Sequence, residues 1–296
     1  MTAFPPRPTA TQVLRALIAR LVVGMLGALP LDRASALGGW LGRTVGPRLA
    51  VTRIARRNLA RAFPERTPAE IEAIVRGMWD HLGRVVGEYP HLGEFDLYAN
   101  DGRVEVIGAE LIDQVRDDGV GGILFSAHLG NWEILSLVAT QNGVPLVHIY
   151  RAPNNPLIED LIRRLRAPIG GVHHGKGRGG AKELIKALKR GEHLAMLVDQ
   201  KLNDGIPVPF FGRDAMTAPA LAKLALKFRC PVLPFWIERL EGAHFRLTVL
   251  PPMTLPDTGD RHADTQSLMG DVNALIEGWI RARPEQWLWV HRRWPD

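Results

Sequence analysis

Gly121-Gly-Ile-Leu-Phe-Ser-Ala-His128-Leu-Gly-Asn-Trp-Glu133 is the stretch on which the reading of this chain turns. An apolar run ends in a histidine, Gly130-Asn131 makes a turn, and Glu133 falls in the first turn of a predicted helix. On one continuous helix, positions five apart point about 140° away from each other. His128 and Glu133 therefore meet only across a sharp strand-to-helix turn, which Gly130 permits. Working outward, apolar runs at 104–107, 121–127, 145–150, 194–199, 231–238 and 245–250 alternate with helix-period segments at 109–117, 132–142, 155–167, 181–190, 217–228 and 264–283. That alternation predicts an α/β domain with a central, mostly parallel sheet flanked by helices. Ligands bind at the carboxyl ends of strands in such sheets, so His128 is expected at the mouth of a cleft.

A neutral imidazole oriented by a carboxylate is a general base for a hydroxyl, contributing typically 10²–10⁴-fold. A histidine that merely satisfies a helix end is the competing reading of the same residues. No Gly-x-Ser-x-Gly elbow occurs, and Cys230 sits in Phe228-Arg-Cys-Pro-Val just before a predicted strand, where a core role fits better than a nucleophile. No covalent intermediate is expected. Gly170-Gly-Val-His-His-Gly175-Lys176-Gly177 approaches a phosphate-binding P-loop, but a glycine stands where the Mg²⁺-binding Ser/Thr belongs. Backbone amides there, with Lys176 and Arg178, remain candidates for a phosphate contact, and a solvated loop is the alternative. His173-His174 lacks the third ligand that catalytic zinc needs. Neither a metal nor a cofactor is expected.

The chain has 296 residues, 46% hydrophobic and 23% charged, with one cysteine, which excludes both a disordered chain and an internal disulfide. Its net charge of +6 is unevenly spread. Residues 1–61 hold ten arginines and one acid, Asp32, a net of +9, which leaves −3 on the rest. Such an arm suits an anionic surface, whereas a nucleic-acid enzyme would carry its positive charge on the catalytic body. No nucleic acid is expected as a partner. Residues 13–31 are mostly apolar, interrupted by Arg15 and Arg20. Eleven uninterrupted residues fall short of the roughly 20 needed for a full span, so a marginal transmembrane helix and a helix in the headgroup layer both stay open. A core helix and a cleavable leader, with Ala34-Ser35-Ala36 as its small-residue site, are the other readings; the arginines that follow argue against export. The expected division is a membrane-anchoring helical segment over 1–61 and an α/β domain over 62–296, with a helical lead-in at 62–100. Within that lead-in, Thr67-Pro68-Ala69-Glu70 has capping-box spacing and opens an amphipathic helix to about Glu88.

His-x-x-x-x-Glu on a strand-turn-helix resembles the glycerolipid-type acyltransferases, and the surrounding text resembles their lipid A late acyltransferases, of lauroyl and myristoyl type. The matching blocks are Tyr150-Arg151-Ala-Pro-Asn154-Asn155-Pro156-Leu157, Glu183-Leu-Ile-Lys-Ala-Leu-Lys-Arg-Gly191, Val198-Asp199-Gln200-Lys201, Pro209-Phe210-Phe211-Gly212, Thr217-Ala218-Pro219-Ala220 and the closing Pro284-Glu285-Gln286-Trp287-Leu288-Trp289-Val290-His291-Arg292-Arg293. The resemblance implies a glycerolipid-acyltransferase-like fold and transfer of a fatty acyl chain from acyl carrier protein to a hydroxyl of a Kdo-bearing lipid A precursor. The place implied is the cytoplasmic face of the inner membrane. It also implies that His128 is the base, that Glu133 holds and polarises it, and that Arg151 contacts an oxyanion or phosphate, a surface ion pair being the alternative for Arg151. Asn131, Asp199 and Gln200 are expected to line the same cleft, with capping of the following turn as the alternative for the last two. Arg163, Arg164 and Arg166 are candidates for docking an acidic carrier. A same-fold enzyme with another lipid acceptor, and a non-enzymatic phosphate- or lipid-binding membrane protein, are the alternatives.

Overall fold

A computed structural model describes residues 8–99, 102–150, 153–175 and 178–294. The strands are β1 (Val104–Ile107), β2 (Ile123–Ser126), β3 (Leu146–Tyr150), β4 (Val172–Gly175), β5 (His193–Leu197), β6 (Lys201–Phe210), β7 (Arg213–Thr217), β8 (Val232–Arg239) and β9 (Phe245–Val249). Seven of them form one sheet in the order β1-β9-β8-β2-β5-β3-β4. From β8 to β4 every pairing is parallel; β9 pairs antiparallel with β8, and β1 parallel with β9. The expected mostly parallel sheet is therefore present, with two reversed strands at one edge. β6 and β7 form a separate antiparallel hairpin.

β2 lies at the centre, and all four of its residues are buried. Its side chains alternate between two cores, as a strand covered on both faces must. Ile123 and Phe125 join a cluster containing Met78, Trp279 and Trp287, while Leu124 joins one containing Val138, Phe235 and Phe245. The helices are α1 (Ala10–Gly27), α2 (Leu31–Val45), α3 (Thr52–Ala62), α4 (Pro68–Glu88), α5 (Ala109–Asp117), α6 (Leu137–Thr140), α7 (Pro156–Leu165), α8 (Arg178–Lys189), α9 (Ala220–Phe228) and α10 (Arg261–Ala282). The capping box at Thr67 and Glu70 is formed. The helix expected over 132–142 is reduced to turns at 132–136 and the single helical turn of α6.

Across residue 61, where the charge changes, packing is continuous. α2 crosses α4 at backbone contact: a Cβ on Gly38 would stand 2.2 Å from the Gly83 carbonyl oxygen, and one on Gly83 would stand 2.1 Å from that of Gly38. Only glycine fits at such a crossing. Asn58 of α3 donates from Nδ2 to the carbonyls of Trp289 (3.0 Å) and His291 (2.8 Å) at the far end of the chain. α1 is the one helix among the described residues long and apolar enough to cross a membrane, by length and composition.

Candidate active site

The site gathers at the carboxyl ends of β2 and β5. His128 stands two residues beyond β2, and Asp199 two beyond the neighbouring parallel β5. The Asp199 carboxylate accepts from His128 twice, at Nδ1 (2.8 Å to Oδ1) and at the backbone N–H (2.9 Å to Oδ2). The Trp287 indole N–H donates to Oδ2 as well, at 2.8 Å. Asp199 is buried, which by itself pushes its pKa up; the facing His128 ring and three hydrogen bonds outweigh that and hold the carboxyl well below the usual range. With Nδ1 committed to Asp199, the free nitrogen of His128 is Nε2. The Gln200 amide lies 3.3 Å from it, and the Trp132 ring centroid is 5.3 Å from that of the imidazole.

The turn that carries His128 is fixed from two sides. Gly130 adopts φ +55°, and a Cβ there would lie 2.0 Å from the Ile237 carbonyl oxygen of β8, so the glycine is required by conformation and by space. The C-terminal segment pairs with the same turn: Gly130 N–H donates to Gln286 O (3.2 Å) and Leu288 N–H to His128 O (3.2 Å). Trp287 and Trp289 are both buried, with ring centroids 4.6 Å apart.

Glu133 is placed differently from the expectation that it holds the histidine. Its carboxylate is gripped by Arg166, with Nε donating to Oε2 at 2.7 Å and Nη2 to Oε1 at 2.6 Å, and the Trp132 indole adds a donor at 3.0 Å. Arg166 also donates to the Tyr89 hydroxyl (3.1 Å). Burial alone would lower the pKa of Arg166, but the bonds to Glu133 prevail and raise it; burial, with the Glu133 charge, raises that of Tyr89. Arg166 is thus an internal group and not part of a docking surface, whereas the side chains of Arg163 and Arg164 are each 74% exposed. Beside the pair lies a cavity of about 90 Å³ walled by Trp132, Glu133, Ser136, His148, His173 and Phe235. His148 and His173 stack there at 4.5 Å. Burial, the facing ring and the Arg166 charge push His148 down to about 3, and burial and Arg166 lower His173.

Asn131 turns away from the histidine into a buried network. Its Nδ2 donates to Glu88 Oε2 (2.7 Å), and Glu88 is held bidentately by Arg239, with Nη2 at 2.9 Å, and by the Ser35 hydroxyl (2.7 Å). Asn131 is therefore a support of the turn, not a group lining the cleft. Arg151 and Lys176 lie outside the described residues, as does the side chain of Arg178, the first residue of α8. Trp287, Arg166, Glu88 and Arg239 take part in the site without having been singled out by motif. Trp287 sits in a quoted block, Arg166 among the quoted arginines, and nothing local distinguishes Glu88 or Arg239.

A buried carboxylate on one nitrogen of a histidine at strand ends, with the other nitrogen bordered by a side-chain amide, is the equipment of an enzyme that takes a proton from a nucleophile. The family comparison agrees in class. The model of the bacterial lipid A biosynthesis acyltransferase family matches residues 2–296, and the chain belongs to that family. It is an acyltransferase. A Haemophilus influenzae lipid A biosynthesis acyltransferase is 26% identical over 273 residues, 90% of this chain and 83% of that one. An Escherichia coli lipid A biosynthesis lauroyltransferase is 31% identical over 81% of this chain and 78% of its own length. The corresponding myristoyltransferase is 26% identical over 88% and 78%.

Proposed function

We propose that this enzyme carries out a late acylation of lipid A, transferring a fatty acyl chain from acyl carrier protein to a hydroxyl of a Kdo-bearing lipid A precursor, at the cytoplasmic face of the inner membrane. The family match and the relatives' names support the acceptor class. The observation that carries the chemistry is the His128–Asp199 pair, which leaves Nε2, beside the Gln200 amide, as the acceptor. In this reading the substrate hydroxyl takes the place now held by the Gln200 amide and gives its proton to Nε2. Its oxygen attacks the thioester carbonyl, the C–S bond breaks as the tetrahedral intermediate collapses, and the imidazolium returns its proton to the leaving thiolate. Asp199 keeps Nδ1–H oriented and offsets the positive charge of the imidazolium. The Gln200 amide and Arg151 are the side-chain donors for the oxyanion, with Lys176 and Arg178 as phosphate contacts. Glu133, locked to Arg166, shapes the cleft wall beside the base. The basic, apolar N-terminal region supports work at an anionic bilayer.

The test supplies acyl carrier protein thioester and a Kdo-lipid A precursor and follows one added acyl ester by mass spectrometry. Product is expected from the native chain and not from His128→Ala. Transfer only to lysophospholipid would move the acceptor to another lipid, and product at near-native rate from His128→Ala would remove the assigned base.

A further inference from the structure

α1 is apolar on two opposite faces, and the two faces have different fates. At about 100° per residue, Gln12, Ala16, Ala19, Val23 and Leu26 share one side, and these are the buried or half-buried positions of the helix. Leu14, Leu17, Ile18, Leu21 and Met25 share the other, at 54–65% exposure. The inner residues are mostly small and the outer ones large, so the bulk of the apolar surface points away from the body. Arg15 and Arg20, both exposed, flank the outer stripe on either side.

The inner face is clamped to the body at both ends. Near the N-terminus the Asn155 side chain accepts from Leu157 N–H (3.1 Å), capping α7, and donates from Nδ2 to the Gln12 carbonyl (2.9 Å), so that one amide joins two helices. Near the C-terminus, Nε2 of the buried His91 lies 3.2 Å from the Leu26 carbonyl oxygen, and Gly27 abuts Pro90, which a Cβ would meet at 3.2 Å. Eighteen residues at about 1.5 Å each make α1 about 27 Å long. A helix crossing a bilayer has its ends on opposite sides, so a helix held at both ends by one body can cross only if that body enters the hydrocarbon. α7, on which α1 rests, carries the exposed Arg163 and Arg164, which forbids this.

We propose that α1 does not span the membrane but lies in the plane of an anionic bilayer surface, its inner stripe on the body and its outer stripe at the acyl boundary. The lipid occupant follows from the chemistry of the outer face: an apolar stripe edged by arginines, in a segment of net charge +9, matches hydrocarbon bordered by anionic headgroups. The N-terminal clamp, Asn155, lies five residues past the end of β3, whose last residue, Tyr150, lines the cavity beside Glu133. A membrane in contact with α1 therefore runs past the cleft rim, and a lipid acceptor reaches His128 sideways from its own leaflet. This inference rests on the proposed action at an anionic membrane surface.

Single cysteines at Leu14, Ile18, Leu21 and Met25, in the full chain with Cys230→Ala, would be spin-labelled and bound to phosphatidylethanolamine–phosphatidylglycerol vesicles. Co-sedimentation with the vesicles and the depth of each label, from oxygen against nickel-chelate relaxation, are the two readouts. The expected result is co-sedimentation with all four labels at one depth, about 5–10 Å below the headgroups, while labels at Ala19 and Val23 stay shielded from both relaxants. Depth changing along the helix by about 1.5 Å per residue, with Leu14 and Met25 near opposite surfaces, overturns the in-plane geometry and leaves membrane action standing. Absence of co-sedimentation, with all outer labels open to the nickel chelate, overturns the membrane reading itself.

Discussion

His128 and Glu133 are five residues apart, yet they belong to two different hydrogen-bonded pairs, and Trp132 touches both. At the His128 corner the partner is Asp199, supplied by the adjacent parallel strand, and the pair is 2.8 Å across with one imidazole nitrogen left over. At the Glu133 corner the partner is Arg166, beyond the end of α7, and no acceptor on the carboxylate is left idle: two guanidinium bonds and an indole N–H occupy it. One corner keeps a group available for chemistry, whereas the other spends its groups on holding shape. A histidine and a carboxylate at suggestive spacing are thus not necessarily partners; which carboxylate orients the base depends on which neighbouring strand ends beside it.

The comparison can be broken most directly at the base. His128→Ala should lower the transfer rate of the folded enzyme by about 10²–10⁴-fold, measured with carrier-protein thioester under saturating acceptor. Asp199→Asn should cost about 10²-fold, because no carboxylate then offsets the imidazolium that forms as the proton is taken. Glu133→Gln should behave differently: it strips the half-buried Arg166 guanidinium of its charge partner, which destabilises by up to about 3–5 kcal/mol in denaturant titrations, and lowers the transfer rate of the folded enzyme far less than Asp199→Asn does. If Glu133→Gln lowers the rate of the folded enzyme as much as Asp199→Asn does, the assignment of the two carboxylates is reversed.

A smaller effect separates the supports from the base by pH. Burial and the Arg239 charge push His81 down to about 3, against about 6.5 when unfolded. Between those values the unfolded chain binds the extra proton, so the stability is fully present above pH 6.5 and falls as pH drops toward 3, by up to about 1.4 kcal/mol per unit. His81→Gln, whose amide oxygen can still accept from Arg239, should flatten that slope in denaturation midpoints measured from pH 7 to 4. The smallest expected change is at the rim. Arg163→Glu with Arg164→Glu should raise the donor's KM a few-fold at low salt and not at high salt, and an unaltered KM at low salt removes the carrier from that face.

Much of the fold was legible because burial leaves a mark on local sequence. β2, β3, β5 and β8 are apolar runs covered on both faces, β9 alternates buried Phe245, Leu247 and Val249 with half-buried Arg246 and Thr248, and Thr67-Pro68-Ala69-Glu70 announces α4 through its own hydrogen bonds. β4 is Val-His-His-Gly, an edge strand whose polar residues look like a loop. β6 reads as polar because its first seven residues are exposed or half-buried, with burial beginning only at Val208. The histidine and its position were readable from the glycine turn that follows it. Its partner was not, because strand order decides that β5 and not some other strand lies beside β2. The Glu133–Arg166 pair spans 33 residues and the Glu88–Arg239 pair 151, and a single chain carries no trace of which charges find each other over such distances.

The network under the His128 turn bears on how this protein can be handled. Residues 1–61 invite deletion, since an apolar, arginine-rich stretch is the usual obstacle to preparation in detergent-free buffer. Yet Ser35 of α2 is one of the donors to Glu88, Gly38 lies against Gly83, and Glu88 is what Asn131 leans on. A chain shortened to residue 62 would expose the glycine face of α4 and remove Ser35 from a carboxylate that steadies the His128 loop. Recovering a tractable enzyme therefore calls for polar replacements on the outer stripe of α1, at Leu14, Leu21 and Met25, with every residue of α2 left in place.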